Sequence, residues 1–212
     1  MKNEQPYNYI ALKSTSRDIR ILSLLPGEWG SDIHCTIKAI SLDDNPKYEA
    51  LSYTWGDTAI TKSIFIDKVK VVQVTTNLEL ALQHLRKQDE SLMLWVDALC
   101  INQIDQTEKS HQVALMGDIY RKCSQVYIWL GCDLEGPTMR AVAQNKDDDP
   151  FAFIHHFADD KHLNEMPYFY QVVGTDEYSF RENPPFWAGL YAVIQSPWWS
   201  RVWTVQIGRA HV

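Results

Sequence analysis

"LWVDALCINQIDQTEKSHQVALMGDIYRKCSQVYIWLG", residues 94–131, decides the fold. With the residues just before it, the stretch begins as "SLMLWVDAL" (91–99). That is a continuous apolar run of the kind buried on both faces of a parallel sheet. Asp105 and Glu108 stand three apart, the spacing of a capping box with Asp as cap residue. The helix they open carries Val113, Met116 and Tyr120 on one stripe. "QVYIWLG" (125–131) is a second buried strand. Between the first strand and the helix lies a polar row, Asp97, Cys100, Asn102, Gln103 and Asp105. Such a row is either loop and cap chemistry or a ligand site.

The same rhythm extends towards the N-terminus. "TTNLELALQHLRKQ" (75–88) places Leu78, Ala81, Leu82 and Leu85 on one helical face, with Thr75 or Thr76 as cap. "SIFIDKVKVVQV" (63–74) alternates about Asp67-Lys68 and reads as a hairpin. "YEALSYTWGD" (48–57) is a strand closed by Gly56-Asp57. "IRILSLLPG" (19–27) and "IHCTIKAISL" (33–42) read as an antiparallel pair ahead of the main unit. Alternating strands and helices predict an α/β fold. Its parallel sheet holds strands near 49–53, 92–97 and 125–130, covered by helices near 76–87 and 106–122. Residues 1–44 form an N-terminal β-hairpin extension. Beyond Gly131 a helix is expected over 133–146, then a mixed insertion with short helices over 147–169. "PPFWAGLYAVIQ" (184–195) and "PWWSRVWTVQ" (197–206) each read as a short helix preceded by proline.

The net charge of −7 comes without a dense Lys/Arg run, which excludes the electrostatic footprint of a nucleic-acid binder. No apolar run approaches the roughly 20 residues of a membrane helix, and no secretory signal opens the chain. The expected location is therefore cytoplasmic, with no membrane partner. Cys35, Cys100, Cys123 and Cys132 show no CxxC pairing, so free thiols are expected rather than disulfides or zinc. His155, His156 and His162 lack acidic or Cys partners at ligand spacing, and no metal is expected. Four of the eight Trp (Trp187, Trp198, Trp199, Trp203) crowd the C-terminal part, where they cover a core or a pocket.

Ligands of open parallel sheets bind outside the carboxyl ends of the strands. Two segments trail such ends. Ser52, Tyr53, Trp55, Gly56 and Asp57 follow the first core strand. Gly56 permits close backbone approach and Asp57 can accept from a ribose hydroxyl; equally, the aromatics can be core and Gly56-Asp57 a turn. Asp97, Asn102 and Gln103 follow the next strand. Their amides suit a nucleotide edge, while Asp97 can instead anchor the loop. Asp105 and Glu108 are accounted for by capping, and Cys100 by burial. Arg201 can hold a phosphate, and Trp203 can stack on a base or pack its helix. These segments are expected to converge on one pocket of roughly 300–1,000 Å³.

Three blocks, "YEALSYTWGD" (48–57), residues 94–131 and "WWSRVWTVQ" (198–206), resemble the heterokaryon incompatibility (HET) domain of filamentous fungi. The resemblance covers roughly residues 45–206. It implies a signalling module in non-self recognition and regulated cell death, with protein partners in that signalling and self-association. It also implies a distant, flavodoxin-like kinship with TIR domains. In that mapping "ALSYTWGD" takes the place of the first TIR strand and residues 77–85 the first helix. TIR enzymes use a glutamate to cleave the nicotinamide–ribose bond of NAD, so NAD as substrate is the alternative reading. The family pattern closes "RVWT-x-Q-E", whereas this chain reads "RVWTVQIGRAHV" with Ile207 at the glutamate position. No catalytic residue is therefore assigned. The codons ATC GGA AGA GCA CAC GTC would encode "IGRAHV" and resemble a sequencing adapter. Residues 207–212 are expected to be non-native, and the chain a fragment.

Overall fold

The computed structural model describes residues 5–68, 70–131, 159, 162, 165, 166, 168–180 and 184–201. They fall in two compact units, residues 1–129 with 200–212, and residues 130–199. The expectations for 133–146 and for nearly all of 147–167 lie outside the described residues.

In the first unit the elements run β1 (Gln5–Pro6), β2 (Asp18–Leu24), β3 (His34–Ser41), β4 (Glu49–Tyr53), β5 (Thr61–Ile66), β6 (Lys70–Thr75), α1 (Thr76–Leu85), β7 (Leu92–Trp95), α2 (Asp97–Cys100), α3 (Gln106–Lys122) and β8 (Val126–Trp129). The eight strands form one sheet in the order β1-β6-β5-β3-β2-β7-β4-β8. Strands β7, β4 and β8 are mutually parallel neighbours, Glu49 opposite Leu94 and Ala50 opposite Val126. This is the expected α/β unit, with its two helices at 76–85 and 106–122.

The hairpins make the complete sheet mixed. β2 pairs antiparallel with β3 on one edge and with β7 on the other, and β3 runs parallel to β5. The N-terminal hairpin thus lies inside the sheet and separates the β5–β6 hairpin from the parallel strands. The reason is its pattern: Ile19, Arg20, Ile21 and Leu22 are all buried, so β2 needs cover on both faces and a neighbour on both edges. The β5–β6 hairpin turns where expected, with Asp67 and Lys68 both left-handed (φ 51° and 71°), a geometry whose twist suits a tight hairpin.

Both helices turn the stripes read from the sequence to the core, with Leu85 and Val113 only partly buried at its margin and Ile119 joining the second stripe. Leu78, Ala81 and Leu82 of α1 and Met116, Ile119 and Tyr120 of α3 enter one core with Leu51, Leu94 and Trp95. Trp95 meets Tyr120 edge to face at 5.5 Å, and Tyr48 Oη donates to Ile119 O at 2.6 Å, so α3 is tied to the strand layer by contact and by hydrogen bond. Thr75 caps α1 through the Leu78 N–H, and Asp105 caps α3 through the Thr107 and Glu108 N–H groups. Glu108 departs from the capping box. Its carboxylate turns inward to Arg20 instead of back to the cap residue. Leu82 is fully buried; Leu82→Ala should lower stability by about 2–5 kcal/mol in urea unfolding, by lost burial plus a residual cavity.

The second unit holds an antiparallel pair, β9 (Phe169–Gln171) with β10 (Tyr178–Phe180), and a helix α4 (Pro184–Ile194). Tyr168 stacks on Phe186 at 4.1 Å in a small aromatic core. The 197–206 segment begins as a 3-10 turn, Pro197–Ser200. Trp203 and Ile207 lie outside the described residues.

Candidate functional site

The site forms where β4 and β7 end side by side. Beyond β7 the chain makes the single turn α2, and the polar row is largely spent on holding it. Asp97 Oδ1 accepts from the Ala98 N–H at 2.7 Å, Cys100 Sγ accepts from the Val96 N–H at 3.4 Å, and Gln103 Nε2 donates to Asp97 O at 2.9 Å. Burial pushes the Cys100 thiol up to about 12, which keeps it a neutral, non-nucleophilic packing group at physiological pH.

Asp97 is the hub. Its Oδ2 accepts from Trp55 Nε1 at 3.1 Å and faces Arg201 Nη2 at 3.5 Å. Arg201 Nη1 also donates to Tyr53 O, at the end of β4. Burial raises the Asp97 carboxyl above its ordinary range, and the Trp55 hydrogen bond and the Arg201 charge oppose that rise. Burial beside this carboxylate likewise raises the Tyr53 phenol well above its usual value. Of the sequence candidates, Tyr53, Trp55, Asp97, Gln103 and Arg201 therefore form one connected cluster.

The others are placed differently. Ser52 is buried within β4. Asp57 is exposed and accepts from the Ala59 N–H at 2.8 Å, the turn role. Gly56 is left-handed (φ 74°), and a Cβ there would stand 3.3 Å from Asn77 Cβ. Gly56→Ala should cost about 1–2 kcal/mol for that backbone conformation, read as a lowered urea midpoint. Asn102 gives its backbone N–H to Glu108 Oε1 at 2.8 Å; its side-chain Oδ1 is buried without a partner among the described residues.

A cavity of about 200 Å³ opens beside the cluster. Tyr53, Trp55 and Gln103 line it, and Thr58, Thr61, Gln73 and Thr75 close it from the side of the β5–β6 hairpin. It is smaller than expected because that hairpin and the start of α1 fold against the strand ends. Sequence reading gave Thr75 only as a helix cap and did not single out Thr58 or Thr61, which precede the hairpin read over 63–74.

Arg20 was also missed, although a lone charge inside "IRILSL" marks a strand with a buried partner. It donates to Glu108 at 2.5 and 2.9 Å, to Cys100 O at 3.1 Å and to Ile10 O at 2.6 Å. Glu108 also accepts from the Asn102 N–H, so this pair fixes the far side of the site loop.

The HET (heterokaryon incompatibility protein) family model matches residues 48–206, from the residue before β4 to beyond Arg201. The chain belongs to the HET family. It is similar to "Heterokaryon incompatibility protein 6, OR allele" of Neurospora crassa, at 33% identity over 230 residues covering 94% of this chain and 33% of that protein. The chain thus spans about a third of that relative's length. No solved structure matches it. The HET segment contains the Asp97 hub and Glu108, while Arg20 lies before it. Among the described residues no helix is long and apolar enough to cross a membrane.

Proposed function

We propose that this chain is the signalling module of a fungal incompatibility protein, acting in non-self recognition and regulated cell death through protein partners, and that the strand-end cavity is its control site. The observation that carries the reading is the HET match across 48–206; the incompatibility protein of Neurospora supports it. Induced expression in a filamentous fungus should arrest growth. Asp97→Ala, which removes the acceptor shared by Trp55 and Arg201, should relieve the arrest. Normal growth at verified expression of the unaltered chain counts against the reading.

A second reading is an NAD glycohydrolase of TIR-like mechanism. What favours it is a buried carboxylate, Asp97, beside an aromatic-walled cavity at strand ends. Asp97 is committed to internal partners, and Ile207 stands where the family pattern has glutamate. Nicotinamide release by the chain as it stands should therefore be slower than by Ile207→Glu by about 10²–10³-fold, the usual cost of one principal electrostatic group. Equal rates from the two proteins would remove residue 207 from the chemistry.

A further inference from the structure

The eight-stranded sheet ends in two edges that are built differently. One is β1, two residues long, of which one is Pro6. A short strand with a proline resists further pairing. The other is β8, which has no neighbour on its outer side among the described residues. β8 carries none of the usual defences. It has no lysine, no proline and no bulge, since Val126 to Trp129 pair with Ala50 to Tyr53 in unbroken register. Its four residues are all β-branched or aromatic. From Cys123 to Gly131 the chain has no charged side chain, although it carries −7 overall. Such an edge is where a second copy of an acidic chain meets least repulsion. The direction of its free backbone groups is fixed. The Ala50 N–H donates to Gln125 O at 2.9 Å. In a parallel ladder one residue bonds to the two that flank its opposite, here Gln125 and Tyr127 about Val126. Tyr127 and Trp129 therefore turn their backbone groups to β4, and Val126 and Ile128 turn theirs outward. Ile128 is also 49% exposed. Trp129 touches Asn77 and His84 of α1, so Tyr127 and Trp129 share the α1 face and Ile128 lies on the other.

We propose that β8 is a self-association edge, at which two copies pair antiparallel about a two-fold axis through Ile128. Side chains directly opposite in an antiparallel pair share a face, so the axis passes through a residue and not between two. Of the outward residues Ile128 is the exposed one, which places the axis there. Ile128 then exchanges both backbone hydrogen bonds with its twin. Tyr127 stands opposite Trp129 of the second copy, an aromatic pair on the α1 face, and the two Ile128 side chains cover one another. The proposal rests, for its role, on the reading of the chain as a module acting through protein partners, and makes a second copy one of them.

The test uses the purified 212-residue chain. Sedimentation velocity over about 1–300 µM should show monomer and dimer in exchange, with a dissociation constant on the order of 10–100 µM, as for a small interface. Ile128→Lys sets two like charges face to face and should weaken the dimer at least about tenfold. The urea midpoint of the dilute monomer should stay unchanged, because the side chain is exposed. Ile128→Cys should cross-link on mild oxidation, since the twin Cα atoms of a hydrogen-bonded pair lie about 5.5 Å apart, within disulfide range. Gln125→Cys, exposed and three places away, should not, because its twin would lie about 20 Å off. The native thiols are present in every variant, and the unaltered chain sets their background. A monomer at every concentration overturns the proposal. So does a dimer that survives Ile128→Lys, or cross-linking of Gln125→Cys as efficient as that of Ile128→Cys. The growth assay separates this from the underlying reading. A chain that arrests growth but stays monomeric overturns the contact and leaves the signalling reading. A dimer whose loss in Ile128→Lys leaves arrest untouched stands as a contact and loses its role in signalling.

Discussion

A chain beginning at Tyr48, where the HET match starts, is expected not to fold. β2 pairs with β3 over seven residue pairs and with β7 over three, and β3 joins β5. Removing residues 1–47 takes out the middle of the sheet. It strands the β5–β6 hairpin and exposes the edge of β7. Ile19, Ile21, Leu22, Leu24, Ile33 and Leu42 are lost from the core with Cys35, seven of its 27 buried members among the described residues. At about 1.5–3 kcal/mol per aliphatic side chain, the six Ile and Leu residues alone amount to about 9–18 kcal/mol, as large as the whole stability of an ordinary domain. The comparison is circular dichroism and urea unfolding of residues 48–212 against the 212-residue chain. Cooperative unfolding of the shorter chain, with the helical signal kept, would show that the hairpin is an accessory after all. We propose that residues 1–44, read from the sequence as an N-terminal β-hairpin extension, also complete the sheet of the HET unit.

Glu108→Ala is expected to lower stability by about 3–5 kcal/mol. The side chains of Arg20 and Glu108 are only 2% and 6% exposed. The substitution leaves the guanidinium buried with two carbonyl oxygens and no counter-charge, and frees the Asn102 N–H. The Tyr9 ring, 4.8 Å from the guanidinium centre, compensates only in part. Exposed pairs such as Lys70–Asp67 should contribute less than about 1 kcal/mol. Urea unfolding of Glu108→Ala, Arg20→Met and the double variant forms the cycle that isolates the pair. A double variant as unstable as the sum of the two singles would mean that the charges do not interact.

The same pair predicts a pH dependence. Burial pushes the Glu108 carboxyl up, but hydrogen bonds from Arg20 and the Asn102 N–H outweigh it, and the carboxyl is held below its ordinary value of 4.5. A depressed carboxyl contributes stability above its unfolded value and loses it as pH falls through the folded one. The parent chain should therefore weaken below about pH 4.5 more steeply than Glu108→Gln. Asp97 acts in the opposite sense. Its raised carboxyl binds a proton more readily in the fold, so its contribution falls as pH rises above the ordinary carboxylate range. Asp97→Asn should remove that second slope, read from urea midpoints between pH 4 and 7.

How far the site could be read in advance differs residue by residue. Asp97 and Gln103 were visible because a greasy strand released them at the edge where α/β folds carry ligands. Trp55 and Arg201 were candidates for the same pocket, but their direct contacts with Asp97 were not visible. They meet Asp97 from positions 42 and 104 residues away. Thr58, Thr61 and Thr75 reach the cavity only because a hairpin folds over the strand ends. Glu108 illustrates the limit. Its position three residues after Asp105 satisfies the local rule for a capping box, yet an arginine 88 residues earlier takes its carboxylate, because an ion pair out of water outweighs one more backbone contact.

The amino-acid order alone determined the local periodicities: "LMLW" as a buried strand, "VYIW" as a strand, helices near 76–87 and 106–122 with one apolar stripe each, and Thr75 and Asp105 as caps. Those follow from interactions within a few residues, which sequence records directly. That β8 is a half-exposed edge, with Ile128 49% exposed, was not in that pattern. Tertiary structure decided where the early hairpin lies, which charge Glu108 answers, and how large a space the strand ends enclose. Each depends on which edges and faces remain to be covered once the other elements have packed. β2 is buried on both faces, and the gap between β5 and β7 is where it finds partners on both edges.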